Sequence, residues 1–121
     1  MANVVNHSVT VTTDGDGAAT AYAGPLRGVL SHIRYVKDDF DNGSTFTITD
    51  EETGATLWTE TSVNASATRA PRHATHSTAG VAATYDGTRA VLERIPVAAR
   101  AKIVISSGGA TKSGTFHFTT E

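Results

Sequence analysis

Short segments in which apolar and polar residues alternate with a period of two constrain the fold of this chain more than any other feature. In the first segment, Val5, Val9 and Val11 share one face, and hydroxyl-bearing residues occupy the other. Successive side chains of a β-strand point to opposite faces, so this pattern predicts a half-buried strand. Residues 14–17 form an Asp-Gly-Asp-Gly sequence that suits a tight turn, and residues 18–23 are predicted to return as the hairpin partner.

Residues 44–60 predict the most secure hairpin, closed by a turn at residues 50–54. Phe46 and Ile48 alternate with threonines on its first strand, which places both on the inward face. The same alternation identifies the residues that we expect to form the core. They are Phe46, Ile48, Leu57, Ile103, Ile105, Phe116 and Phe118.

Further strands are predicted over residues 28–36, 102–106 and 115–120. A helical turn could lie within residues 91–102, although a proline there disfavours a long helix. Strands of this length and spacing predict one all-β domain over residues 1–121. Its fold is expected to be a β-sandwich or a small, jelly-roll-like β-barrel with one long ordered loop.

The composition narrows the class of protein. The chain has no cysteine, which excludes disulfides and cysteine-bound zinc. Its net charge of −2 comes without a basic stripe, which argues against nucleic acid as a partner. No apolar run approaches the ~20 residues of a membrane span, and the first residues lack a secretory signal. We therefore expect a soluble protein made in the cytoplasm.

The surface is expected to consist largely of small residues. The chain contains 20 threonines and 18 alanines but only three lysines. A surface of small side chains loses little side-chain entropy when a neighbouring protein covers it. This composition therefore favours a protein that assembles with others.

The stretch from Thr61 to Gly80 follows neither the helical nor the strand period. Connections of this length in compact domains are usually functional or disordered, and here we expect an extended, ordered arm. Its candidate assembly residues are Arg69, Pro71, Arg72, His73 and His76. Arginine is enriched at protein interfaces and binds carboxylates through two hydrogen bonds, so Arg69 and Arg72 are expected to meet acidic groups on a neighbouring chain. The alternative is an arm that folds onto its own sheet, with both arginines meeting local acids.

Two segments partly match known ligand-binding motifs. Residues 108–113 end in Lys-Ser, as a phosphate-binding loop does, but Thr111 stands where that motif needs glycine. A strand rather than a helix is predicted to follow, so we interpret the segment as a hairpin turn. The loop with Asp39 and Asp41 has Gly43 one position too early for a calcium loop, which favours a solvated turn and leaves open a single weak ion.

No pattern in the sequence indicates catalysis or a cofactor. His73 and His76 lie three residues apart, but no third metal ligand is near them in sequence, and the role of the pair is left open. The chain lacks a Gly-x-Ser-x-Gly motif and a cysteine nucleophile, and its acids lie in turns rather than in opposed pairs. We therefore expect no enzymatic activity, no metal and no cofactor.

Several runs of residues, spread over most of the chain, carry a resemblance. They are 55–58, 63–66, 69–72 with Thr75 and His76, 93–98, 102–105 and 112–117. Together they resemble a group of small proteins found among the structural genes of tailed phages and prophages. The shared runs are structural rather than catalytic, so the resemblance assigns no functional residue.

The resemblance implies a virion component that is synthesised in the host cytoplasm. Capsid decoration is the first expectation, in which a cement protein stabilises the head by binding the major capsid protein across its seams. Such proteins commonly assemble as trimers at symmetry axes, so a homo-oligomer is implied, with neither nucleic acid nor a membrane as partner. The alternative within this class is a head–tail neck or tail component.

A glycan-binding β-sandwich module is the leading alternative from another class. Such a module needs solvent-facing aromatic side chains as a platform for sugar rings. Only Tyr22, Phe40 and Tyr85 lie outside the strongly alternating core positions. The supply of platform residues is therefore small.

Overall fold

The computed structural model describes residues 4–121, and the first three residues of the predicted domain lie outside that range. Within it the chain forms ten β-strands, arranged as two antiparallel sheets around one core. The predicted all-β, single-domain β-sandwich is confirmed. The strands are β1 (Val5–Thr12), β2 (Ala19–Ala23), β3 (Gly28–Lys37), β4 (Ser44–Asp50), β5 (Thr56–Val63), β6 (Ala67–Arg69), β7 (Arg72–Ala74), β8 (Leu92–Val97), β9 (Ala101–Ser106) and β10 (Ser113–Thr120). Residues 4–121 contain no helix that is long and apolar enough to cross a membrane.

The larger sheet has the strand order β1-β10-β3-β8-β7, and the smaller sheet has the order β2-β9-β4-β5. On the side of β3 that does not pair with β10, two different strands pair with it. Its first residues, Gly28–Leu30, pair with β8, whereas Ile33–Tyr35 pair with β6. The edge of the larger sheet is therefore built from several short pieces rather than one long strand.

The prediction that the first two strands form a hairpin is wrong. β1 pairs with β10 in the larger sheet, and β2 pairs with β9 in the smaller one. The intervening turn does form, because Asp14 Oδ1 accepts hydrogen bonds from the backbone N–H groups of Asp16 and Ala18. It carries the chain from one sheet to the other, as connections in β-sandwiches often do.

Residues 108–113, the segment compared above with a phosphate-binding loop, also cross between the sheets. A strand follows this segment, as predicted, but it joins β9 to β10 in opposite sheets and is not a hairpin turn. Thr13, which is buried, holds it: its hydroxyl donates to the carbonyl of Gly109 and accepts from the N–H of Lys112. The two crossing turns thus brace each other at one end of the sandwich.

The core matches the sequence expectation closely. All seven predicted core residues are buried, and the most exposed of them, Leu57, is 4% exposed. An aromatic cluster lies at the centre, with ring centroids 4.7–6.5 Å apart, a range in which edge and offset contacts are favourable. Its members are Tyr35, Phe40, Phe46, Trp58 and Phe116.

A shift in the pairing register of β5 explains why the successive residues Leu57 and Trp58 are both buried. Ile48 pairs with Trp58, but the next residue of β4 pairs with Thr56, so β5 has one extra residue at this point. A β-bulge of this kind can turn neighbouring side chains to the same face. Leu57 and Trp58 are accordingly both buried.

The stretch predicted as one arm, Thr61 to Gly80, is divided in the structure. Its first three residues complete β5, and β6 adds a short strand to the larger sheet. Strands of three residues are too short to show a period in the sequence, which is why the whole stretch lacked one. Residues 91–102, where a helical turn was considered, contain β8 and the start of β9 instead.

Candidate assembly surface

Residues 72–94 form a region whose backbone pairs with itself rather than with the sandwich, and we call it the extension. At its base β7 pairs with Leu92–Arg94, the first half of β8. The second half of β8 belongs to the sandwich, because Ile95–Val97 pair with β3. The extension is therefore held at its base by one strand that continues into the core.

Three short segments of the extension are hydrogen-bonded in a closed triangle. The N–H of Thr75 donates to the carbonyl of Val91 (2.9 Å), that of Val91 to Ala83 (3.0 Å), and that of Ala83 to Thr75 (2.7 Å). Each of the three residues thus uses both its donor and its acceptor. The triangle gives the extension a defined backbone without a sheet to rest on.

The extension has no core of its own. None of residues 64–94 is buried, and every residue from 76 to 89 is exposed. Val81 (68% exposed), Tyr85 (61%) and Leu92 (60%) present large apolar surfaces to solvent. Four of the seven large apolar side chains that are exposed within residues 4–121 belong to the extension, and an excess of exposed apolar side chains in one region favours an interaction surface. The extension is therefore the candidate assembly surface.

Arg69, one of the predicted assembly residues, lies on β6 and contacts an acid of its own chain. Its Nη2 is 2.8 Å from Glu60 Oε2 and its Nε donates to Glu60 Oε1 at 2.9 Å. The guanidinium also lies 5.6 Å from the centre of the Trp58 ring. Because Glu60 is on β5 and Arg69 on β6, the pair links the two sheets at one open side of the sandwich. Of the two alternatives for Arg69, the local acid is the one observed.

The electrostatics of Glu60 follow from this arrangement. The Arg69 guanidinium lowers the pKa of the Glu60 carboxyl below its ordinary value, and a hydrogen bond from the Trp58 indole N–H acts in the same direction. Partial burial opposes both effects. The carboxylate is therefore stabilised in its charged form at the side of the sandwich.

The other predicted assembly residues lie at or near the base of the extension. Pro71 is partly buried, and Arg72 donates from Nη1 to the backbone carbonyls of Ser31 and Pro71 rather than to an acid. His73 Nε2 lies 3.1 Å from Glu93 Oε1, across the pairing of β7 with β8. These residues tie the extension to the sandwich and across its own base, and their role in an interface stays a prediction.

His76 lies just beyond the base of the extension. Its Nδ1 is 3.1 Å from the carbonyl of Ser77, and the side chain is otherwise exposed. No group of three or more potential metal ligands occurs in the part of the chain that the structure describes. The histidine pair is therefore not brought together with a third ligand.

The tip of the extension, residues 85–89, contains Asp86 and Arg89, which were not predicted from the sequence as functional residues. The Arg89 guanidinium stacks over the Tyr85 ring at 4.9 Å, and its Nε is 2.5 Å from Asp86 Oδ2. Asp86 Oδ1 also accepts hydrogen bonds from the N–H groups of Thr88 and Arg89, and these bonds lower its pKa. The one usable signal was Tyr85 itself, an isolated aromatic in a segment of small residues.

A second surface feature is a cleft at the end of the sandwich where the β4–β5 and β8–β9 connections meet. It has a volume of about 210 Å³ and is lined by Pro96–Ala99, Asp50, Glu52 and Thr53. Asp50 shapes one wall, because its Oδ1 accepts hydrogen bonds from the N–H groups of Glu52 and Thr53. The cleft therefore combines apolar walls with an exposed carboxylate at its rim.

The aromatic residues considered for glycan binding are differently placed. Phe40 is buried, at 2% exposure, and belongs to the aromatic cluster, so its assignment outside the core is wrong. Tyr22 is partly exposed, but the Arg100 guanidinium lies over its ring at 4.3 Å. Tyr85 carries Arg89 in the same way. Each exposed tyrosine therefore has one ring face occupied by an arginine.

Comparison of the chain with protein-family models, with curated proteins and with solved structures finds no match in any of the three. The resemblance to tailed-phage structural proteins therefore rests on the runs of sequence alone.

Proposed function

We propose that this chain is a non-enzymatic structural protein of a tailed-phage virion. Its first role would be capsid decoration, in which the extension binds the major capsid protein and stabilises the head. The observation that carries the proposal is an exposed extension with four large apolar side chains in solvent, attached to a well-packed sandwich. The sequence runs that resemble small phage structural proteins are the reason for proposing a virion protein as the partner.

The energetic argument concerns what the exposed apolar residues do. Burial of apolar surface contributes roughly 25 cal/mol per Å², and Val81, Tyr85 and Leu92 obtain little of this within their own chain. A partner that covers them would gain that contribution. The small residues around them lose little side-chain entropy on ordering, which lowers the cost of association.

The same surface would serve a head–tail neck or tail component, which is the alternative within this class. The two roles differ in which virion protein covers the extension. The glycan-binding alternative is less favoured, because an arginine already occupies one face of both Tyr22 and Tyr85.

The proposal is tested by removing the extension. Thr75 and Val91 are hydrogen-bonded neighbours, so residues 76–90 can be replaced by Asn-Gly, which suits a two-residue hairpin turn. We expect the free energy of unfolding to change by about 1 kcal/mol or less, since every residue from 76 to 89 is exposed. Retention on purified particles of the encoding phage or prophage should be lost.

The matched control is the substitution Arg69→Ala, because Arg69 was predicted for assembly but lies on β6, outside the extension. It separates a role of the extension from a role of this arginine. Full retention of the shortened protein on particles would contradict the proposal. If the full-length protein is retained on isolated tails but not on heads, the result would instead support the role of a tail component.

A further inference from the structure

The tip of the extension and the cleft have complementary properties, although they lie on different surfaces of the molecule. The tip presents an exposed aromatic ring, that of Tyr85, with a guanidinium beside it. The cleft presents apolar walls with an exposed carboxylate at the rim. We infer that a second copy of this chain is the partner of the cleft, and that Tyr85 and Arg89 of one copy dock into the cleft of the next, beside Glu52.

Size supports this pairing. A cavity of about 150 Å³ with apolar walls can hold a benzene ring, and the cleft has a volume of about 210 Å³. Its apolar side is formed by Pro96, Val97 and two alanines, which are small enough to leave the space open to a flat ring, and Asp50, Glu52 and Thr53 line the rest. Tyrosine is enriched among the residues that dominate binding at interfaces, because it buries a large rigid surface.

The charges of the two surfaces also support docking of the tip into the cleft of a second copy. Among residues 4–121, Glu51 forms an ion pair with Arg100, whereas the Glu52 carboxylate has neither a hydrogen bond nor an ion pair. At the tip, Asp86 engages only Nε of Arg89, which leaves Nη1 and Nη2 without hydrogen-bond partners within the same range. A guanidinium with these two donors can meet a carboxylate of a neighbouring copy.

The geometry of such an assembly follows from the use of two different surfaces. A contact between unlike surfaces joins copies head to tail, and the series closes when the copies form a ring or exchange tips reciprocally. The inference does not depend on the virion assignment, because it concerns the purified chain alone.

Sedimentation velocity of the purified full chain, from low micromolar to submillimolar concentration, tests the inference. We expect the wild type to associate into a closed oligomer. Tyr85→Ser removes the ring and Ala98→Trp fills the cleft, and each should weaken association by roughly 30-fold, as loss of an interface hot spot does. Leu92→Ser is the matched control, because Leu92 is as exposed as Tyr85 but lies at the base of the extension.

A charge exchange makes the test specific. Arg89→Glu and Glu52→Arg should each weaken association alone, and the double variant should restore it, which a defect in folding would not do. Circular dichroism verifies that each variant is folded. A wild type that stays monomeric throughout, a Tyr85→Ser variant that associates normally, a Leu92→Ser variant as weak as Tyr85→Ser, or failure of the double variant to restore association would each overturn the inference. Tyr85→Ser is also assayed for retention on particles, because the deletion of residues 76–90 removes Tyr85 together with Val81. Retention of a monomeric Tyr85→Ser variant would show that particle binding and self-association use different residues.

Discussion

The sandwich and the extension are both built from strands and turns, but they differ in what those segments bury. In β10, buried residues alternate with partly exposed ones along all eight positions. In the extension, Val81 and Tyr85 face solvent although both have backbone hydrogen bonds. The carbonyl of Val81 accepts from the N–H of Ser77, and the N–H of Tyr85 donates to the carbonyl of Arg89. Backbone hydrogen bonds alone contribute little net stability, since they replace bonds to water. The sandwich therefore accounts for the stability of the domain, and the extension is available for binding.

The largest effect that separates the two regions is expected from loss of a core aromatic ring. Phe116 packs against Phe46, Tyr35 and Trp58, with ring centroids 5.1–6.5 Å away. Phe116→Ala should lower the free energy of unfolding by about 3–5 kcal/mol, because it leaves a cavity between the sheets. Chemical denaturation measures this change.

The matched control for that experiment lies in the extension. Val81→Ala also removes apolar atoms, but from an exposed position, and should change stability by at most about 0.5 kcal/mol. Similar losses for the two variants would show that the extension is part of the cooperative core, and the contrast between the regions would fail.

A smaller effect is expected from added volume at the centre of the sandwich. A Cβ atom at Gly114 would lie 2.7 Å from a ring atom of Phe40 and 2.9 Å from one of Tyr35. Gly114→Ala should therefore destabilise the domain by about 1–3 kcal/mol, as overpacking does. At Gly15 a Cβ atom would meet nothing within 4 Å, so Gly15→Ala should leave the thermal midpoint nearly unchanged. Equal midpoints for the two variants would disprove the close packing of Phe40.

A still smaller effect concerns the ion pair that links the sheets. Because Arg69 lowers the pKa of Glu60 from its ordinary value of 4.5, the pair stabilises the fold above about that pH, and the contribution is lost as the pH falls through the lowered pKa. Glu60→Gln should therefore be less stable than the wild type at pH 7, by under about 1 kcal/mol, since the pair is partly solvent-exposed.

The difference between Glu60→Gln and the wild type should vanish at acidic pH. Urea denaturation of both proteins from pH 7 to pH 3 measures it. Glu52→Gln is the control, because Glu52 forms no ion pair within residues 4–121. A difference that persists unchanged at pH 3 would show that the charge of Glu60 is not what links the sheets.

The smallest effect is expected from metal chelation. Neither the loop with Asp39 and Asp41 nor the Asp-Gly-Asp-Gly turn at residues 14–17 has a full set of calcium ligands in its sequence, so EDTA should leave the thermal midpoint unchanged. A lower midpoint that calcium restores would show that the loop with Asp39 and Asp41 holds an ion.

The sequence was sufficient to predict which residues fill the sandwich and that residues 44–60 form a hairpin, which is the pairing of β4 with β5, but it did not predict the other strand neighbours. Alternation assigns Phe46 and Phe116 to inward faces, because the period of a strand depends only on local geometry. Pairing depends on which sheet a strand enters, and the turn at residues 14–17 looks the same whether it closes a hairpin or crosses between sheets. Phe40 was missed for a related reason, since it lies in an acidic loop without a period and is buried only by tertiary packing.

The candidate assembly surface was predicted only in part. The sequence indicated an unusual segment and residues at its base, such as Arg72 and His73. It indicated Tyr85 only as an aromatic outside the predicted core, and it did not indicate the cleft, because exposure of an apolar side chain depends on the absence of neighbours in three dimensions. Arg69 was assigned to a partner because Glu60, nine residues earlier, gave no sign of lying opposite it across the two sheets.

The closed triangle of Thr75, Ala83 and Val91 has a consequence for proteins present in many copies. An unpaired strand edge can recruit strands from other molecules and grow into fibrous aggregates. In the triangle each of the three residues has its N–H and its carbonyl engaged within the chain, so these positions offer no template to an incoming strand. The extension thus displays apolar side chains while these three positions are closed to strand addition, so a partner that meets them there is restricted to side-chain contacts.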